Sequence, residues 1–406
     1  MDRGRPRWPA ALVAAVVVAQ AAVVLLRPRE GVIEPAHVRP QSYFSDSQIE
    51  RARDFRRPQL ALHGGVLFAQ LALLAALVAR PPRLLHGSCR RPLLAAAGAG
   101  AALSLTLSVV ALPFDAIARE RAIDVGLVTQ SRGGYAGDQV KSWGIAAVIA
   151  GLGAGAAVGL MRRSPRRWWL PGSVVVVAFG AATIYAGPVL LDPLFNKFER
   201  VPAGQTRSDV LELARRAGVD VGQVYEVDAS RRTTAANAYV TGLGHTKRVV
   251  LYDTLLKSFA RDELRLVVAH ELAHVRHSDV RNGLLYLLVV TPFGLLAVAL
   301  LTRRLGGDAP KPGPAVLPAL ALSVAIVSAA LTVVSNQLSR DVEARADSFA
   351  LRLTGDPQAF VSFERGIALR NLAEPDPPGW VTFLTATHPP VIDRIGVGEA
   401  YRRGAR

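Results

Sequence analysis

Uncharged apolar stretches recur along the chain: Pro9 to Leu26, about Leu60 to Val78, Pro92 to Leu112, Trp143 to Met161, Trp168 to Leu191, Gly283 to Leu301 and Val316 to Val334. Each is close to the roughly 20 residues that cross a bilayer as a helix. Seven spans are therefore expected, in a mostly α-helical membrane protein. Arg3, Arg5 and Arg7 precede the first stretch as they would in a signal peptide. Its apolar part is too long for a signal core, however, and Leu25-Leu26-Arg27-Pro28 has no small-residue cleavage site, so it reads as a retained helix.

The polar stretches between are informative in one region. SDSQIERARDFRRPQ, after the first span, reads as a capped surface helix, and SRGGYAGDQVKSW as a loop whose Gly-Gly pair marks a turn. The Gly/Ala-rich runs Ala95 to Ala102 and Gly151 to Gly159 are suited to close helix approach. From Asp192 onward a polar domain begins. Arg207 to Gly218 has the start and stop signals of a helix, and VGQVYEV, NAYVTGL and KRVVLY have strand length and pattern, which together suggest a small antiparallel sheet. Asp253 to Lys257 begins a short helix, and Asp262 is placed to cap a longer one. An exposed edge of such a sheet can take an extended peptide as one more strand. Beyond Thr354 no span remains: GDPQAFVSFERGIALR has an amphipathic pattern, and ATHPPVIDRI follows a proline-rich turn.

Half of the residues are hydrophobic and the mean hydropathy is +0.26, which agrees with a membrane protein. The net charge of +16 invites a nucleic-acid reading, but from Asp192 to Arg281 there are 14 Lys and Arg against 12 acidic residues. The excess lies in short loops such as Arg162-Arg163-Ser164-Pro165-Arg166-Arg167, as expected of flanks that meet lipid headgroups, so no nucleic-acid partner is expected. The lone Cys89 rules out an intramolecular disulfide and a cysteine-rich metal site.

The candidate chemistry lies in His270-Glu271-Leu272-Ala273-His274. On a helix, residues four apart share a face, so His270 and His274 can meet one metal ion, with the Glu271 carboxylate beside them to take a proton from a metal-bound water. With only eight histidines in the chain, that spacing is seldom accidental. A third ligand must come from elsewhere. SRDVEARADSFAL, after the last span, puts Glu343 and Asp347 on one helical face. From Val334 to Glu343, and from His274 to Gly283, is nine residues each, roughly 13 Å if both helices run unbroken from their spans. That would bring Glu343 to the height of the histidines. The competing reading makes Glu343 a surface partner of Arg340 or Arg345.

DPLFNKF at Asp192 to Phe198, NAYVTG at Asn237 to Gly242, KRVVLYDTLL at Lys247 to Leu256, HELAH, SRDVEARADSFA at Ser339 to Ala350 and HPPVIDRI at His388 to Ile395 resemble, in order, the integral-membrane zinc metallopeptidases that include the type I CAAX prenyl proteases and, more distantly, the bacterial heat-shock membrane protease. The resemblance implies one Zn2+ held by His270, His274 and Glu343, with Glu271 as general base and Asp347 orienting a ligand histidine. It further implies Asn237 and Arg394 as substrate-binding residues, Asn237 on the substrate-binding edge, and His388 and Arg394 reaching the site, where His388 can stabilise the oxyanion. It implies seven helices around a chamber, closed by a small α+β zincin-like domain.

Residues 1–191 would then hold five spans, 192–281 the HELAH part of the catalytic domain, 282–334 spans six and seven, and 335–406 the remainder with the third ligand. The expected activity is a zinc endopeptidase acting on membrane-associated or CAAX-type peptides in a bacterial plasma membrane. A quality-control protease for membrane proteins is the alternative, and a non-catalytic zinc-containing receptor or channel a more distant one. Nothing in the sequence encodes recognition of a prenyl group. On orientation two arguments conflict. The short loops on the N-terminal side carry 14 Lys and Arg against 11 in the opposite ones, which puts the catalytic domain outside, whereas the resemblance puts it in the cytoplasm.

Overall fold

The structure is a computed structural model that describes residues 8–85, 90–242, 247–307 and 312–404. Cys89 lies outside the described residues. Thirteen α-helices are described, and seven of them are long and apolar enough to cross a membrane. The first five are α1 (Trp8–Leu26), α2 (Asp46–Ala79), α3 (Pro92–Asp124), α4 (Arg132–Arg163) and α5 (Trp169–Leu190); the last two are α9 (Asp279–Gly306) and α10 (Leu317–Thr354).

Two polar stretches belong to these long helices instead of standing apart. SDSQIERARDFRRPQ is the first part of α2, continuous with the second span through Pro58. Ser45 caps it as the sequence suggests, accepting from Gln48 N–H while the Gln48 side chain reaches back to Ser45 N–H. The Gly133-Gly134 pair is no turn: it lies in the first turn of α4, where Gly134 N–H donates to the capping Ser131 hydroxyl.

The Gly/Ala runs pack α3 against α4 at backbone distance. A Cβ on Gly100 would stand 2.4 Å from Ala154 Cβ and 2.8 Å from the Ala150 carbonyl oxygen, and one on Gly151 would stand 3.0 Å from the Ala97 carbonyl. Helix α3 also packs on α2, α2 on α10, α10 on α9 and α9 on α5, while α1 lies against α9 and α10. With α4 touching α5, these contacts close into a ring.

Beyond α5 the chain leaves the spans and builds a four-stranded sheet. Its strands are β1 (Phe198–Arg200), β2 (Gln223–Val227), β3 (Ala238–Thr241) and β4 (Arg248–Tyr252), in spatial order β1-β2-β4-β3. The sheet is mixed, not antiparallel. β2 and β4 run parallel with Val224 opposite Val249, and only the outer pairs are antiparallel. Helix α6 (Gln205–Arg216) crosses from β1 to β2, and α7 (Asp253–Ser258) and α8 (Arg261–Arg276) follow β4. Asp262 is not the cap of α8: Ala260 holds that position, and its N–H is taken by the Glu263 carboxylate.

After α10 come α11 (Pro357–Arg370), α12 (Gly379–Thr385) and α13 (Val391–Arg402). Leu213, Leu251, Leu255 and Leu272 make one core with Phe363 of α11, so the segments before α9 and after α10 close a single domain. The link between α1 and α2 belongs to it as well. Ile33 is buried beside Leu266 and Phe360, Ile33 N–H donates to Ser348 Oγ at 2.9 Å, and Ala36 N–H to the Gly396 carbonyl at 3.0 Å. Gly396 permits that approach, since a Cβ there would stand 2.4 Å from the Ala36 carbonyl oxygen.

Candidate active site

Helix α8 points His270 and His274 the same way because they are four residues apart, while the intervening Leu272 and Ala273 are fully buried and fix its rotation. Helix α10 brings Glu343 against them. His270 Nε2 lies 3.1 Å from Glu343 Oε2, His274 Nε2 lies 3.7 Å from Glu343 Oε1, and the two Nε2 atoms are 3.3 Å apart. Ligands about 2.0–2.1 Å from a tetrahedral ion stand roughly 3.3–3.4 Å from one another, which is the separation of the two Nε2 atoms, while each histidine faces a different oxygen of the Glu343 carboxylate. Glu271 also has an oxygen within 4.8 Å of the histidine nitrogens. Burial pushes its carboxyl up, against the pull of the two histidines.

The helix heights expected from the sequence assume unbroken helices. Helix α10 meets that assumption, whereas α8 and α9 are separated at His277 and Ser278, with Ser278 in a left-handed conformation at φ 57°. The meeting of Glu343 with the histidines therefore depends on the continuity of α10 alone. Neither arginine competes for Glu343: Arg340 donates to the Thr382 and Ala386 carbonyls, and Arg345 is paired with Asp279.

The outer nitrogens of both histidines are held. His270 Nδ1 lies 2.9 Å from Asp347 Oδ1, and His274 Nδ1 lies 3.0 Å from Asp279 Oδ2. A carboxylate can only accept, so each Nδ1 donates outward, and the nitrogen each ring turns toward Glu343 is Nε2, the one available to a metal ion. Asp279 is missing from the sequence-based site. Its signal is present, as the first residue of a new helix five positions after His274, but the break that turns it back is a backbone event invisible to helical periodicity.

His388, half-exposed in the link between α12 and α13, lies with Nε2 3.4 Å from Glu343 Oε2. Arg394, expected to meet substrate, is instead engaged inward: Nε and Nη2 donate to Asp347 at 2.8 and 2.6 Å. Asn237 is exposed and stands immediately before β3, which is an edge strand of the sheet. Its carbonyl accepts Tyr252 N–H at 3.1 Å, and its side chain accepts Ala238 N–H at 2.9 Å. From that pairing, antiparallel alternation leaves the Val240 N–H and the Ala238 carbonyl on the open side. A cavity of about 600 Å³ runs along this wall and is lined by Asn237, His270, Glu271, Asp347, His388 and Arg394 among others. The segment leading into β3 is clamped by the α3–α4 connection: Val128 and Thr233 form an antiparallel bridge, and Thr129 N–H donates to the Arg232 carbonyl at 3.1 Å.

Comparisons with known proteins agree with this architecture. Residues 201–399 match the family described as peptidase family M48, and residues 66–197 match the one described as CAAX prenyl protease N-terminal, five membrane helices. The chain is 34% identical over 304 residues to the uncharacterized metalloprotease YhfN of Bacillus subtilis, covering 73% of this chain and 71% of YhfN. It is 30% identical over 237 residues to a CAAX prenyl protease 1 homolog of Oryza sativa, covering 57% of this chain and about half (55%) of the rice protein. The crystal structure of S. mikatae Ste24p shares the fold at a TM-score of 0.71 and 20% identity, over 97% of this chain and 98% of that one. The chain belongs to peptidase family M48 and is an integral-membrane metallopeptidase with the helical N-terminal region found in CAAX prenyl proteases.

Proposed function

We propose that the protein is a zinc endopeptidase that hydrolyses membrane-associated or CAAX-type peptides, with its catalytic domain on the cytoplasmic face. His270, His274 and Glu343 hold the ion. The observation that carries this reading is the convergence of the two Nε2 atoms, 3.3 Å apart, on the Glu343 carboxylate, beside a second carboxylate and an open cavity. When bound, zinc supplies a Lewis acid for the carbonyl and for a water molecule. Glu271 takes the proton from the attacking water and passes it to the leaving amine. His388 donates to the oxygen of the tetrahedral intermediate, and the open side of β3, with Asn237 at its start, receives the peptide as a further strand.

Glu271→Gln should keep the ion and abolish cleavage of peptides by the purified protein; cleavage at the parent rate would refute the mechanism. A membrane-proteome comparison of cells carrying the parent or Glu271→Gln names the substrate through accumulating precursors. Reporter fusions at the C-terminus read the orientation, and a periplasmic signal would overturn it.

A further inference from the structure

The proposed mechanism uses the charged groups that touch the metal position and leaves one fully buried carboxyl unused. Glu364 of α11 is 1% exposed and lines the catalytic cavity. Its Oε2 stands 2.9 Å from Arg394 Nη1, an ion-pair distance, yet neither of its oxygens completes a hydrogen bond within the described residues. On the other side of the same guanidinium, Nε and Nη2 grip Asp347, whose Oδ1 also meets His270 Nδ1 at 2.9 Å. Glu364, Arg394, Asp347 and His270 thus form one continuous line from α11 through α13 and α10 to α8.

A guanidinium buried against a single carboxylate can pivot about that fork, since its Nη1 side then has no counter-charge; a carboxylate on each side removes the freedom. We infer that Glu364 is a positioning residue for the metal centre, acting from behind Arg394 to hold Asp347, and through it the His270 ring, in the orientation that binds zinc. This rests on the zinc reading above. It also reassigns Arg394: its contacts bind it to Asp347 and Glu364, not to a peptide.

The test is a zinc competition titration against a chelator, on detergent-purified full-length protein. It is run at pH 8, above the value of about 7 to which burial pushes Glu364, so that its carboxylate is charged. Glu364→Gln preserves the shape and removes the charge. Loss of a direct partner of a metal-binding histidine typically costs 10–100-fold in affinity, so a residue one contact further out should cost about three- to tenfold. The double variant with Asp347→Asn should bind zinc within about twofold of Asp347→Asn alone, because both changes cut the same line. Parent-like affinity in Glu364→Gln, or losses that multiply in the double variant, would overturn the inference. So would a raised KM with unchanged zinc affinity, which would make Glu364 a substrate contact. A parent protein that takes up no zinc would instead overturn the zinc reading itself.

Discussion

Replacing Asp279 by alanine measures what the break between α8 and α9 contributes to the metal centre. The Asp279 carboxylate is 11% exposed, accepts from His274 Nδ1 at 3.0 Å, and is also the partner of the Arg345 guanidinium, itself 14% exposed. Alanine removes both contacts. His274 then turns freely about its ring axis and loses the acceptor that makes Nε2 more basic, while Arg345 keeps a partly buried charge without its carboxylate. Loss of one such partner costs about 10–100-fold in metal affinity, or roughly 1.4–2.7 kcal/mol. Asparagine keeps an acceptor oxygen for Nδ1–H and loses only the charge, so a loss of about threefold is expected. The assay is the time course of inactivation by excess chelator, compared for parent, Asp279→Asn and Asp279→Ala. The rates should rise in that order. If Asp279→Ala releases zinc as slowly as the parent, the His274–Asp279 contact does not support the site.

Packing, charge and the open strand give further expectations. Gly100→Val should cost at least about 1–3 kcal/mol, read as a lowered midpoint of thermal unfolding in detergent, because its Cβ would meet Ala154 Cβ at 2.4 Å and the Ala150 carbonyl at 2.8 Å. Asp209 is held down to about 2 from an ordinary 3.8, mainly by hydrogen bonds from Arg261. A carboxyl depressed on folding stabilises the protein above its unfolded value and loses that contribution as pH falls from about 4 toward 2. The shift corresponds to about 2 kcal/mol, discounted to about 1 because the Arg261 side chain is 57% exposed. Asp209→Asn should therefore lower the unfolding midpoint at pH 7, and the difference should shrink near pH 3. Val240→Pro removes an N–H from the open side of β3 and none from the pairing with β4, so KM for peptides should rise several-fold with zinc content unchanged. An unchanged KM would exclude strand addition at that edge.

Much of this molecule is legible in the sequence because the bilayer imposes a simple rule: seven uncharged runs of span length become seven helices. That His270 and His274 share a helical face is legible from their spacing, and the approach of Glu343 to them because α10 continues straight out of its span. What escapes is non-local. The parallel pairing of β2 with β4 cannot be read from neighbouring strands, since β3 comes between them in sequence and lies outside them in space. Strand β1 is three residues long and carries no alternation to detect. Asp279 and Glu364 escape because each acts through a partner distant in sequence or beyond a break in the backbone. The Gly133-Gly134 pair misleads as a turn signal, because it falls in the first turn of α4 instead.

The separation of the metal-binding side chains between α8 and α10 also orders events during biosynthesis. On the ligand assignment proposed above, a chain that has emerged as far as α8 holds two histidines and a base, but no complete site. Two membrane spans must follow before Glu343 exists, and α13 must then fold back before Arg394 can brace Asp347. A half-inserted or truncated chain is thus a harmless one. Proteolytic competence arrives only with the last helices, at the moment when the ring is there to restrict what reaches it.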